Sequence, residues 1–142
     1  MSNYLDIDLA WGGYYACASK ESDEISIIRL LDFNREAYHA CLFDESFDKT
    51  PGPEVVDELS AFVGYAPIDA RGLLNYGSVV LIGSRLLTRD DLEGYLYYLE
   101  EFGVPEDERE ELVESLIAFS KDKPLALRLS LSDGELQIEE RT

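Results

Sequence analysis

The sequence predicts an α+β domain with a mixed, largely antiparallel sheet: a β-rich N-terminal half, about three amphipathic helices and a C-terminal β-hairpin. Three observations carry this. Apolar residues alternate with polar ones, or run together briefly, through roughly the first third of the chain. From residue 53 onward they recur at spacings of three and four, and alternation returns after residue 125. The chain has 142 residues, of which 46% are hydrophobic, with nine Tyr, six Phe and one Trp. That is enough apolar surface for one domain spanning residues 1–142 to fold without disulfides or a structural metal, and it argues against intrinsic disorder.

The elements follow in order. Leu5, Ile7, Leu9 and Trp11 alternate with Asp6, Asp8 and Ala10, the pattern of a strand with one buried face. Gly12 and Gly13 then turn the chain, so residues 14–19 are expected to return as a hairpin partner. Residues 21–24 form a polar loop. Ile25, Ile27, Ile28, Leu30 and Leu31 make the next strand, and residues 32–35 a turn. Residues 37–43 read as a fourth strand, with a short helix over 35–42 as the alternative, and an acidic loop covers 44–53.

Val55, Val56, Leu59, Phe62 and Val63 predict an amphipathic helix over residues 53–63, opened by Pro53 and stopped at Gly64. Residues 67–76 favour no single conformation. Residues 78–83, apolar almost throughout, predict a central strand covered on both faces. Thr88 followed by Asp91 resembles a capping box; Leu92, Tyr95, Leu96, Leu99 and Phe102 then define the buried face of a helix ending at Gly103. Asp107 followed by Glu110 predicts a second such start, ahead of Leu112, Val113, Leu116 and Ile117. Residues 125–131 and 136–140, joined at Asp133 and Gly134, form the terminal hairpin.

No stretch is long and apolar enough to span a membrane, and the first residues lack the basic and apolar regions of a secretory signal, so the expected location is the cytoplasm. Cys17 and Cys41 are the two cysteines. Each lies in an apolar run without metal-ligand spacing, which favours buried, reduced thiols.

Charge is the outstanding feature. There are 30 Asp and Glu against 12 Lys and Arg, a formal net charge of −18. Residues 1–52, 53–104 and 105–142 carry 10 − 4, 9 − 3 and 11 − 5 acids less bases, or −6 each. The acidity belongs to the whole fold and disfavours nucleic acid or anionic lipid as a partner. Solubility alone would account for much of it. It does not account for eight acids against the single Arg109 between Glu100 and Glu114. Glu110 and Glu114 repel at i and i+4, and Glu100 and Glu101 sit at the disfavoured end of a helix dipole. At 100° per residue, Tyr97 points away from the buried face, flanked by Glu93, Glu100 and Glu101. An exposed aromatic ring among carboxylates suits a basic protein surface, unless the next helix or the terminal hairpin covers it.

Catalytic chemistry has few candidates. Asp6 and Asp8 share one strand face at a separation of about 7 Å and can begin a metal site. A first strand bearing such acids, followed by returning strands, resembles the ribonuclease H-like superfamily over residues 6–31. The resemblance implies magnesium-dependent phosphodiester cleavage with Asp6 and Asp8 as ligands. His39, the single histidine, lies in an apolar run and reads as a strand residue with a satisfied ring. No nucleophile elbow or phosphate-binding glycine loop is present.

The expected function is therefore non-enzymatic: an acidic protein that neutralises a basic protein, most concretely an immunity protein inhibiting a bacterial toxin nuclease. A nucleic-acid mimic acting on a DNA-binding protein is a close relative of that reading. Tyr97, Glu93, Glu100, Glu101, Glu110 and Glu114 are the expected contacts, with no cofactor and no metal. The metal-dependent nuclease, and a module with purely apolar contacts, are the alternatives.

Overall fold

A computed structural model describes residues 3–34, 37–59, 61–122, 124–132 and 135–140. Its strands are β1 (Asn3–Leu9), β2 (Gly13–Ser19), β3 (Ile25–Asn34), β4 (Ala37–Phe47), β5 (Ala61–Asp69), β6 (Tyr76–Ser84), β7 (Leu125–Ser132) and β8 (Glu135–Glu140). The helices are the single turn α1 (Ala70–Leu73), then α2 (Glu93–Glu101) and α3 (Glu106–Phe119). Two antiparallel sheets result, β1-β7-β8 and β5-β4-β3-β2-β6. The α+β class, the strand-rich start and the C-terminal pair of strands are as the sequence predicts; the predicted turn at Asp133 and Gly134 lies outside the described residues.

The fold has three layers. Leu5, Ile7, Leu9, Leu127 and Leu129 of the smaller sheet pack against Tyr15, Cys17, Ile28, Leu30, Tyr38 and Ala40 of the larger one. The opposite face of the larger sheet is covered by α2 and α3, through Leu92, Tyr95, Leu99, Val113 and Leu116, and by a 3-10 turn at Pro53–Asp57. Period two along β3 does the sorting: Ile28 and Leu30 face the small sheet, while on the opposite face Leu31 meets α2 and α3 and Ile25 and Ile27 meet the 3-10 turn.

Several expectations are corrected. β1 and β2 do not form a hairpin: β1 pairs with β7, whereas β2 lies between β3 and β6. The five residues that open β2 are all buried, which demands cover on both faces, whereas β1 buries one. The Gly12 and Gly13 corner therefore carries the chain from one sheet to the other. Gly12 has φ of +78°, and a Cβ there would lie 2.3 Å from the carbonyl oxygen of Arg85. The helix predicted over 53–63 is only the 3-10 turn, which seats Val55, Val56 and Leu59 on the sheet before the chain becomes β5. β-branched and aromatic residues suit that edge strand, and the edge tolerates Pro67.

Residues 37–47 are strand, so the helical alternative over 35–42 is set aside and the acidic loop is shorter than expected. Asp32 belongs to β3, at a register shift that turns it inward; residues 32–34 of the predicted turn at 32–35 are strand, and Arg35 lies outside the described residues. β6 is an edge strand, not a central one, and exposes Val80. It reads as apolar throughout because Val79 and Leu81 join one core cluster and Ile82 another.

Candidate functional site

Polar contacts tie α2 and the turn before it to the larger sheet. Thr88 and Asp91 make the reciprocal bonds of the predicted capping box, at the start of a 3-10 turn (Asp90–Leu92) that leads into α2: the Asp91 carboxylate accepts the Thr88 backbone N–H at 3.0 Å, and Thr88 Oγ1 accepts the Asp91 N–H at 3.3 Å. The same carboxylate lies 3.1 Å from Arg29 Nη1, a buried guanidinium that also donates to the carbonyls of Gly12 and Arg85. One turn on, Tyr95 Oη donates to Asp32 at 2.7 Å; Asp32 also accepts from Trp11 Nε1 and the Phe33 N–H. His39 Nδ1 shares a 2.7 Å hydrogen bond with Tyr65 Oη, and its ring stacks on Tyr95 at 4.4 Å. Burial, with Tyr98 and Asp32 nearby, raises the pKa of Tyr65. His39 is thus a satisfied, buried ring, as expected of it.

The helix ends in a Schellman motif. Gly103, with φ of +81°, donates to the Glu100 carbonyl, and Val104 donates to that of Leu99. Phe102, expected on the buried face, is instead 66% exposed and meets the Tyr98 ring at a tilt of 40°. It stands at the C-cap, where the chain has left helical geometry. The predicted box of Asp107 and Glu110 does not form: α3 begins at Glu106 after Pro105 and has no side-chain cap. Glu110 is instead held by Arg89, whose two terminal nitrogens bond its two oxygens, one at 2.6 Å. That pairing lowers the pKa of Glu110 and raises that of Arg89.

A groove of about 320 Å³ lies between α2 and α3, beside the turn that precedes α2. Tyr97, 60% exposed, and Leu96 supply its apolar lining. Asp90, Glu93, Glu100, Glu106 and Glu110 line it with carboxylates, against the guanidinium groups of Arg89 and Arg109. Arg109 donates to the Val104 carbonyl at 2.6 Å. Four predicted contacts are thereby brought together: Tyr97, Glu93, Glu100 and Glu110. Glu101 and Glu114 are exposed but lie outside the groove lining. Arg89, Asp90, Leu96, Glu106 and Arg109 were not anticipated. Arg89 and Asp90 precede the helix, and Glu106 and Arg109 belong to the next one, so the geometry of a single helix cannot find these four; Leu96 lies on α2 and was expected on its buried face.

The other candidates resolve differently. Asp6 lies opposite Arg128 on β7 and accepts from its Nε at 3.0 Å, on the solvent side of the small sheet. β1 shares no sheet with β2 and β3, so the succession of returning strands behind the ribonuclease H-like resemblance is not one sheet. Among the described residues, no group of three His, Cys, Asp or Glu is placed to hold a metal ion. Cys17 faces the inter-sheet core, and burial pushes its thiol up to about 12; Cys41, on the helix side, is also free and raised by burial. Among the described residues no helix is long and apolar enough to cross a membrane. No family model, curated protein or solved structure matches the chain, and the groove is the feature on which a functional reading rests.

Proposed function

We propose that the chain is a non-enzymatic acidic binding protein that neutralises a basic protein, and that it serves as a cytoplasmic immunity protein against a bacterial toxin nuclease. One observation supports this most: Tyr97 stands exposed in a groove lined by five carboxylates and two guanidinium groups. A nuclease that binds a polyanion presents a basic cleft. An acidic surface associates with such a cleft quickly and occupies it without chemistry of its own. An aromatic anchor supplies the buried contact that long-range charge alone does not.

Products of the adjacent reading frames are the partners to test. A cationic product whose nucleic-acid hydrolysis is abolished by one equivalent of the chain is the expected result. Inhibition should be lost when Tyr97→Ala is combined with Glu93→Gln and Glu100→Gln. Hydrolysis unaffected by the chain for every cationic product, or equal inhibition by the triple variant, contradicts the reading.

A further inference from the structure

We infer that the groove between α2 and α3 is selective for arginine: it takes an Arg side chain of the partner, with the guanidinium plane laid on the Tyr97 ring and its N–H groups directed to Glu93 and Glu100. The inference rests on the reading above and narrows the partner from cationic to guanidinium-bearing.

Charge selects the class of occupant. A second copy of the chain brings 30 acids against 12 bases, and nucleic acid or an anionic membrane brings phosphate, so each is repelled. A basic protein is attracted.

The shape and chemistry of the groove then favour Arg over Lys. Glu93 and Glu100 stand at i−4 and i+3 from Tyr97, on the same side of α2 as the ring. Among the described residues neither makes an ion pair, and Glu100 lies in the last turn, where the helix dipole favours a cation. The groove is already compatible with a guanidinium, because Arg89 lays its fork across both oxygens of Glu110. Planar guanidinium stacks on an aromatic face and bonds carboxylates bidentately, whereas ammonium is a compact, strongly hydrated point charge that does neither.

Arg89 is in this arrangement an internal competitor. It neutralises Glu110 and contributes a positive charge at the place where a guest cation would sit. Removing it is expected to strengthen binding, an effect opposite to that of damaging the fold.

Two fluorescein-labelled peptides of about nine residues, alternating Gly with Arg or Gly with Lys, provide the test by fluorescence anisotropy at low salt. The Arg peptide is expected to bind about tenfold more tightly than the Lys peptide. Tyr97→Ala should erase that preference while leaving the melting temperature unchanged, and Arg89→Gln should tighten Arg-peptide binding about threefold or more. Glu21→Gln, in the exposed loop between β2 and β3, should do neither. Equal binding of both peptides, unaltered by Tyr97→Ala, overturns the selectivity for arginine while leaving a general acidic grip in place. Failure of both peptides to bind overturns the selectivity and the acidic grip together.

Discussion

Tyr38 carries a buried hydroxyl with no hydrogen-bond partner among the described residues, in the core between the two sheets. Its burial raises the phenol pKa and leaves an unsatisfied dipole. Tyr38→Phe is therefore expected to stabilise the fold by about 1 kcal/mol, read from denaturant unfolding; a loss of similar size would show that the hydroxyl has a partner. Tyr95→Phe should act in the opposite sense. It removes a donor to the buried Asp32 and should cost about 1–3 kcal/mol. The pairing of Tyr95 with Asp32 was not legible from spacing, because the two are 63 residues apart and meet only through the docking of α2 on β3. The burial of Leu92, Tyr95 and Leu99 and the exposure of Tyr97 were legible, since both follow from 100° per residue on one helix.

Two paired surface carboxylates bear on pH dependence. Glu110 and Asp57 are held below the usual carboxylate range by hydrogen bonds from Arg89 and Arg85. A folded-state pKa below the unfolded one means that the pairing stabilises the fold above the ordinary carboxylate pKa. That contribution is lost as pH falls through the lowered value. Carboxyl-detected NMR titration should find both groups titrating below the ordinary carboxylate range, and Arg89→Gln should return Glu110 alone to that range. Unchanged titration of Glu110 in that variant would show that the pair does not persist in solution.

At the scale of elements, α2 depends on Asp91, which closes the capping box and neutralises the buried Arg29. Asp91→Ala should destabilise the protein by about 2–4 kcal/mol, because it leaves a buried cation unpaired and a helix start uncapped. A change below about 0.5 kcal/mol in thermal or denaturant unfolding would contradict that role. Gly103→Ala tests the other end: the site is sterically open, but its φ of +81° should cost about 1 kcal/mol. Both helix ends were visible in the sequence because caps are local. Strand partners were not, since pairing is settled by which faces need cover. The apolar run of β2 belongs between two neighbours, and the segment after Pro53 becomes an edge strand because β4 offers it a ladder that helical periodicity does not reveal.

For the whole molecule, the uniform acidity is legible from composition and the acids around Tyr97 from helix geometry, but the groove that gathers them with α3 is not. The groove joins α2 to α3 and to the turn before α2, and three segments of the chain cannot be placed together by counting. Self-repulsion of a chain at −18 should make stability dependent on ionic strength: added salt should raise the melting temperature, and a flat response would show that the native ion pairs offset it. The central claim, that this anionic face exists to capture a basic protein, is tested most directly by the association rate. Stopped-flow mixing with the cationic partner should give a rate constant that falls at least tenfold between about 50 and 500 mM salt, with Tyr97→Ala changing mainly the dissociation rate. An association rate indifferent to salt, with dissociation unaffected by Tyr97→Ala, would contradict the claim.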